Sequence, residues 1–248
     1  MNLRAAVGIF LGTALWVSSP VAVPAASAQP AAQRCGKLNI EFDPPLPEQH
    51  IRCTLAPGEH LTLNVSSDPA WSFQLVDNGA VTQSFSEPAA RIGESGRAPF
   101  LADIDHSGTP VLLVITDPGG TGGEPMAVWK MTGTPAHFVR AGEIFGFGRF
   151  YQTTEGFFGN YSHSSAESGG VDLYRWDGDK LAKVAGLSVQ VAGQPQPPGQ
   201  QTTWVHNGNV DCHLDSDYPA GSLRAAGLDP ASAEHQLCAQ PWVATIYK

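Results

Sequence analysis

Charge is scarce in this sequence. Only 15% of its 248 residues are Asp, Glu, Lys or Arg. That excludes a coiled coil, which would be rich in Ala, Glu, Lys and Leu. Basic residues are the scarcer sign, 14 against 23 acidic, and no Lys/Arg cluster occurs anywhere. A chain of this balance repels phosphate backbones, so no nucleic-acid partner is expected. No stretch repeats at a fixed period, which argues against solenoids and propellers. Catalytic signatures are missing too: there is no Gly-x-Ser-x-Gly elbow, no His-Glu-x-x-His and no paired-carboxylate pattern. The glycine-rich run from Asp117 to Glu124 lacks the Gly-Lys-Ser/Thr ending of a phosphate loop and reads as a connection between strands. The Gly93-Glu94-Ser95-Gly96 stretch resembles the surround of a trypsin-like serine, but the chain before it is too short to build the first of two barrels. The expectation is therefore a protein that is not an enzyme.

What is present is turns and apolar residues. Gly and Pro number 27 and 20, and 42% of the chain is hydrophobic, enough to build a core. The first 28 residues read as a signal peptide. Arg4 supplies the positive charge, Ala5 to Val17 the apolar run, and Ala26-Ser27-Ala28 the small-residue cleavage site. That run is too short to cross a hydrocarbon layer of ~30 Å as a helix, so no membrane span is expected after cleavage. Removing Arg4 with the leader leaves 13 basic and 23 acidic residues, a balance of −10. The expected location is periplasmic or secreted.

Export makes disulfides the default state of the four cysteines. Cys35 with Cys53 and Cys212 with Cys238 each close a local loop, and this pairing is expected. A zinc site built from Cys212, His213, His235 and Cys238 is disfavoured, because adjacent ligands cannot easily face one tetrahedral ion.

Along the chain, residues 29–59 read as irregular around Pro44-Pro45-Leu46-Pro47. Residues 60–192 read as a β domain. Leu61 to Val65 and Trp71 to Leu75 alternate with period two, and Asp77-Asn78-Gly79 signals a hairpin turn. Val111 to Ile115 is a continuous apolar run, as expected of a strand buried on both faces. Residues 193–201 read as a Pro/Gln/Gly linker. Residues 202–248 read as a disulfide-containing carboxy-terminal appendix with few core residues. Within it, Asp229 and Pro230 are expected to start a short helix, and Trp242 to Tyr247 to form an edge strand. The fold class is thus mainly β, an antiparallel sandwich-like domain with a short disulfide-pinned appendix.

Two segments carry candidate chemistry. Asp103-Ile104-Asp105-His106-Ser107-Gly108 offers Asp103, Asp105 and Ser107 as oxygen ligands for calcium, with a glycine for the bend. The same residues also suit a turn whose side chains bond their own backbone. Glu155 to Gly170 reads as a long loop carrying Phe157, Phe158, Tyr161, Ser162 and His163. Its aromatic and small polar residues suit a protein–protein contact, with Tyr161, Ser162 and His163 as the partner-binding candidates. Phe157 and Phe158 also suit core positions at a strand end.

The order of these features resembles a known family. The strand–Asp-Asn-Gly–strand unit at Phe73 to Gln83 is followed by the Asp-x-Asp-x-Ser-Gly turn and the strand at Val111. Then come a glycine-rich loop, Ala127-Val128-Trp129, and the hairpin Tyr174 to Leu181. Over about Trp71 to Val184 the chain is similar to bacterial periplasmic calcium-binding proteins related in fold to inhibitors of invertebrate-type lysozyme. The resemblance implies calcium at Asp103, Asp105 and Ser107, and a protein partner such as a lysozyme, entered by the Glu155–Gly170 segment. It also departs from the family. Acidic residues usual at the positions of Ser107 and Val111 are missing, and Ser164-Ser165-Ala166-Glu167 replaces a cysteine-containing turn. A calcium-stabilised envelope protein without inhibitory activity is the alternative expectation.

Overall fold

The computed structural model describes residues 33–37, 51–67, 70–89, 97–194 and 203–248. The expected signal peptide, most of the linker and the Gly93–Gly96 stretch lie outside them. Three sheets follow one another in chain order. The first holds β1 (Gln33–Arg34), β2 (Arg52–Gly58), β3 (Leu61–Ser67), β4 (Trp71–Asp77) and β5 (Ala80–Glu87), neighbours in that order. Among the described strands only the β1–β2 pair is parallel. The β4–β5 turn takes positive φ at Asn78 (48°) and Gly79 (86°), the two-residue hairpin geometry that an Asn-Gly pair favours.

The second sheet is β6 (Phe100–Ala102), β7 (Val111–Ile115), β8 (Glu124–Thr132) and β9 (His137–Gly146), all antiparallel. The third is β10 (Phe150–Gln152), β11 (Phe158–Ser165), β12 (Ser168–Asp177), β13 (Lys180–Val191), β14 (Val205–Asn207) and β15 (Val210–Leu214). In it β15 lies between β13 and β14. Two short helices, α1 (Ala220–Ala225) and α2 (Ala233–Cys238), and a 3-10 turn at Val243–Thr245 complete the chain.

The layers follow from side-chain parity. Successive residues of a strand face opposite sides, and β7 is buried at all five positions. Leu112 and Val114 join the cluster formed with the first sheet, alongside Phe73, Leu75, Ala127 and Trp129. Val111, Leu113 and Ile115 join the cluster formed with Phe158 and Tyr174 of the third sheet. The second sheet is therefore sandwiched, as the unbroken apolar run requires. The other face of the third sheet is covered by the helices through Leu223, Leu228, Leu237, Val243 and Ile246.

Polar side chains tie the first two sheets together. The Gln83 amide stands in for a strand residue: its Nε2 donates to the Phe138 carbonyl (2.8 Å) and its Oε1 accepts from the Phe138 N–H (2.7 Å). Glu87, 4% exposed, accepts from the Trp129 indole at 2.9 Å and from two Arg140 nitrogens at 2.9 and 3.1 Å.

Both disulfides form in the expected pairing, Cys35–Cys53 and Cys212–Cys238. Other expectations are corrected. Residues 52–58 are strand, because Cys53 faces the core in register with Val65. Residues 242–247 form no edge strand. Backbone bonds from Thr245 N to Trp242 O and from Ile246 N to Val243 O wind them into a 3-10 turn, and this turn puts Val243 and Ile246 on one buried side. The helix after Asp229 starts only at Ala233, the Asp229 side chain instead accepting from the Ala231 N–H. The carboxy-terminal segment also supplies more core than its composition suggested. Val210, Cys212, Leu223, Leu228, Leu237 and Cys238 are each at most 3% exposed, and β15 pairs with β13.

Candidate functional site

The Asp103–Gly108 turn links β6 to β7. It closes on itself through its own side chains: Asp105 Oδ1 accepts from Ser107 N (3.1 Å), Asp103 Oδ2 from Gly108 N (3.0 Å), and Ser107 Oγ from Thr109 N (3.2 Å). Positive φ at His106 (54°) and Gly108 (82°) turns the chain sharply, a conformation that glycine adopts without strain. The turn is also fastened to the third sheet. Trp176 Nε1 donates to Asp105 Oδ2 at 2.6 Å, and Gln152 Nε2 to the Asp105 carbonyl at 3.3 Å. Burial opposes ionisation of Asp105. The hydrogen bonds from Trp176 and Ser107, and the contact with Asp103, outweigh it and hold the carboxyl below its ordinary value. Among the described residues no group of three His, Cys, Asp or Glu is placed to share a metal.

The segment expected as a loop from Glu155 to Gly170 is a hairpin. β11 and β12 pair from Phe158↔Tyr174 to Ser165↔Ser168, with an irregularity after His163. This changes the part played by the aromatic residues. Phe157 and Phe158 are core, and so is Tyr161, which is 2% exposed and packs edge-on to Tyr247 and His163. Gly169 fits beneath it because a Cβ there would collide with the Ser162 carbonyl and the Tyr161 ring. Tyr161 therefore presents nothing to a partner in this fold. Ser162 and His163 are half-buried, and His163 also packs edge-on against Phe147 at 5.0 Å.

The exposed part is the tip, Ser164 to Glu167. It is held from within and from both flanks. His163 Nδ1 lies 2.9 Å from the Ser165 carbonyl, the Ser165 and Ser168 hydroxyls are 2.8 Å apart, and Glu167 N–H donates to Ser165 Oγ at 3.2 Å. On one flank the His163 N–H donates to Gly122 O (2.8 Å); on the other the Val191 N–H donates to Glu167 O (2.9 Å). The glycine-rich run is thus a docked support for the tip. The outcome is a narrow, preformed projection of small residues carrying one carboxylate, Glu167. The run Ser164-Ser165-Ala166-Glu167 between two apolar stretches was its only signal in sequence.

No family model, curated protein or solved structure matches this chain. No helix among the described residues is long and apolar enough to cross a membrane. The two disulfides are consistent with an oxidising or extracellular compartment.

Proposed function

We propose that this chain is an exported, non-enzymatic protein-binding domain whose β11–β12 tip enters the cleft of a basic partner, a lysozyme or another wall hydrolase. The observation that carries the reading is the braced, exposed tip with Glu167 at its end. A projection already ordered before binding loses little entropy when it docks. The excess of acidic over basic residues would steer a basic partner towards it. The test is lysis inhibition and pull-down of the mature protein with c-type, g-type and invertebrate-type lysozymes. Inhibition of one type is expected, and Glu167→Lys should weaken it at least about tenfold by turning attraction into repulsion. Silence against all three types, or full inhibition by Glu167→Lys, would reject the reading.

A second reading is favoured by the Asp103–Asp105 turn, where two carboxylates adjoin at the surface. Asp103, Asp105 and Ser107 would supply three oxygens to a calcium ion, which takes 6–8 in all, the rest from backbone carbonyls or water. In this reading the ion stabilises the β6–β7 connection of an envelope protein. Calcium at ~100 times its dissociation constant should then raise stability by about 2.7 kcal/mol over a chelator control. Asp103→Asn should abolish the rise. A wild-type melting midpoint indifferent to calcium would exclude the site.

A further inference from the structure

The sequence holds two Asn-x-Ser acceptors for N-linked glycans, Asn64-Val65-Ser66 and Asn160-Tyr161-Ser162. Both lie on strands, β3 and β11. The fold gives them opposite surroundings. Asn64 is exposed on the outer face of the first sheet, between Thr54 and Gln74, while Val65 turns into the core. The Asn64 side chain bonds to no described residue.

Asn160 is 1% exposed. Both hydrogens of its amide are engaged: Nδ2 donates to the Phe147 carbonyl at 2.6 Å and to the Arg149 carbonyl at 3.4 Å. These bonds hold the connection between β9 and β10 against β11. The end of β9 closes the space from one side, where a Cβ on Gly146 would lie 2.6 Å from Asn160 Oδ1. Phe150 and Asp172 flank Asn160 in register on the neighbouring strands. N-glycosylation joins Nδ2 to the anomeric carbon of a lipid-pyrophosphate-linked oligosaccharide. The bond from that carbon to the phosphate oxygen breaks, the lipid pyrophosphate leaves, and one amide proton is lost. At Asn160 the sugar would displace a hydrogen-bonded proton. A glycan is bulky and suits a surface, and a close-packed interior has no void to take it. A chain glycosylated at Asn160 therefore cannot close its third sheet against the second.

We infer that this protein folds in an export route where Asn-x-Ser acceptors are not glycosylated before folding, and that Asn64 is the one acceptor whose glycan the fold tolerates. Transfer to an unfolded chain would meet Asn160 as freely as Asn64, because the same motif marks both. Once the chain has folded, only Asn64 is within reach. The inference rests on the export reading in the proposed function and not on the protein partner, so silence against every lysozyme leaves it standing. Export is checked separately, by whether the native protein begins at Gln29.

The test is secretion of the mature protein behind a yeast leader, in cells that transfer oligosaccharides to unfolded chains. The wild-type chain is expected to stay inside the cell with a glycan on Asn160, located as an aspartate after peptide N-glycosidase treatment. Ser162→Ala removes the acceptor motif and keeps the Asn160 bonds. It should restore secretion, with a glycan at Asn64 alone, whereas Ser66→Ala should not. Blocking synthesis of the lipid-linked oligosaccharide should release the wild-type chain as well, which tests the inference without any substitution. Made without glycosylation, Ser162→Ala should keep the wild-type melting midpoint. Secreted, folded wild-type protein, with or without a glycan on Asn160, would overturn the inference, and so would equal retention of Ser162→Ala and of the wild-type chain under the block.

Discussion

Replacing Glu87 with Ala is expected to lower stability by about 3 kcal/mol. For a chain of this size that is roughly 6–12 °C in thermal midpoint. Glu87 is on the core face of β5, and its carboxylate accepts from Trp129 of β8 and Arg140 of β9. Its removal leaves an indole N–H without a partner beneath the first sheet and leaves the guanidinium only the exposed Glu143 carboxylate, at 3.4 Å. The Arg140 side chain is 41% exposed, so water rehydrates part of the cation and the loss falls at the lower end for a broken buried pair. Glu87→Gln should cost about half as much, because its amide oxygen can still accept from Trp129. Urea unfolding of both variants tests this. A loss below ~1 kcal/mol for Glu87→Ala would mean that apolar packing alone holds the two sheets together.

That cluster also marks where sequence reading stops. Glu87 is 42 residues from Trp129 and 53 from Arg140, and no local pattern announces a pairing across that distance. Gln83, which joins β5 to Phe138, is equally silent. Features set by nearest neighbours were legible: the alternation of β3 and β4, the Asn78-Gly79 turn, and the double burial of β7 from an unbroken apolar run. The disulfide pairs were legible because each closes a short loop. The candidate sites were only half so. The Asp103–Gly108 turn is where its motif places it, but Trp176, which anchors Asp105, comes from a strand 71 residues away. Tyr161 looked like a contact residue because an aromatic beside glycine and serine suits both an interface and a strand edge. Pairing with β12 turned it inward and left Glu167 outside. At the carboxy terminus, Val243 and Ile246 fit a strand or a 3-10 turn equally well on local evidence, and tertiary packing chose the turn.

Removing the second disulfide by Cys212→Ala with Cys238→Ala should be the most damaging change to the third sheet. The bond spans 26 residues. Loop-closure entropy alone assigns it about 3.5 kcal/mol, and the Cys35–Cys53 bond about 3 kcal/mol. The two should nonetheless differ in effect. Cys35 tethers the two-residue β1 and a single 3-10 turn at the margin of the first sheet, so its loss should leave the remaining layers intact. Cys212 and Cys238 are fully buried in the cluster that joins β13 and β15 to α2. The Asn207 amide donates to the carbonyls of Cys238 and Gln240, both at 2.9 Å. Gln240 in turn donates to the Thr154 hydroxyl and the Glu155 carboxylate. Loosening α2 therefore loosens the turn that leads into β11. Hydrogen exchange on the Cys212→Ala/Cys238→Ala variant should show faster exchange at α2 and at the Thr154–Phe157 turn, with β7 and β8 still protected. Uniform loss of protection across all three sheets would instead mean that the helical layer and the sandwich unfold as one cooperative unit.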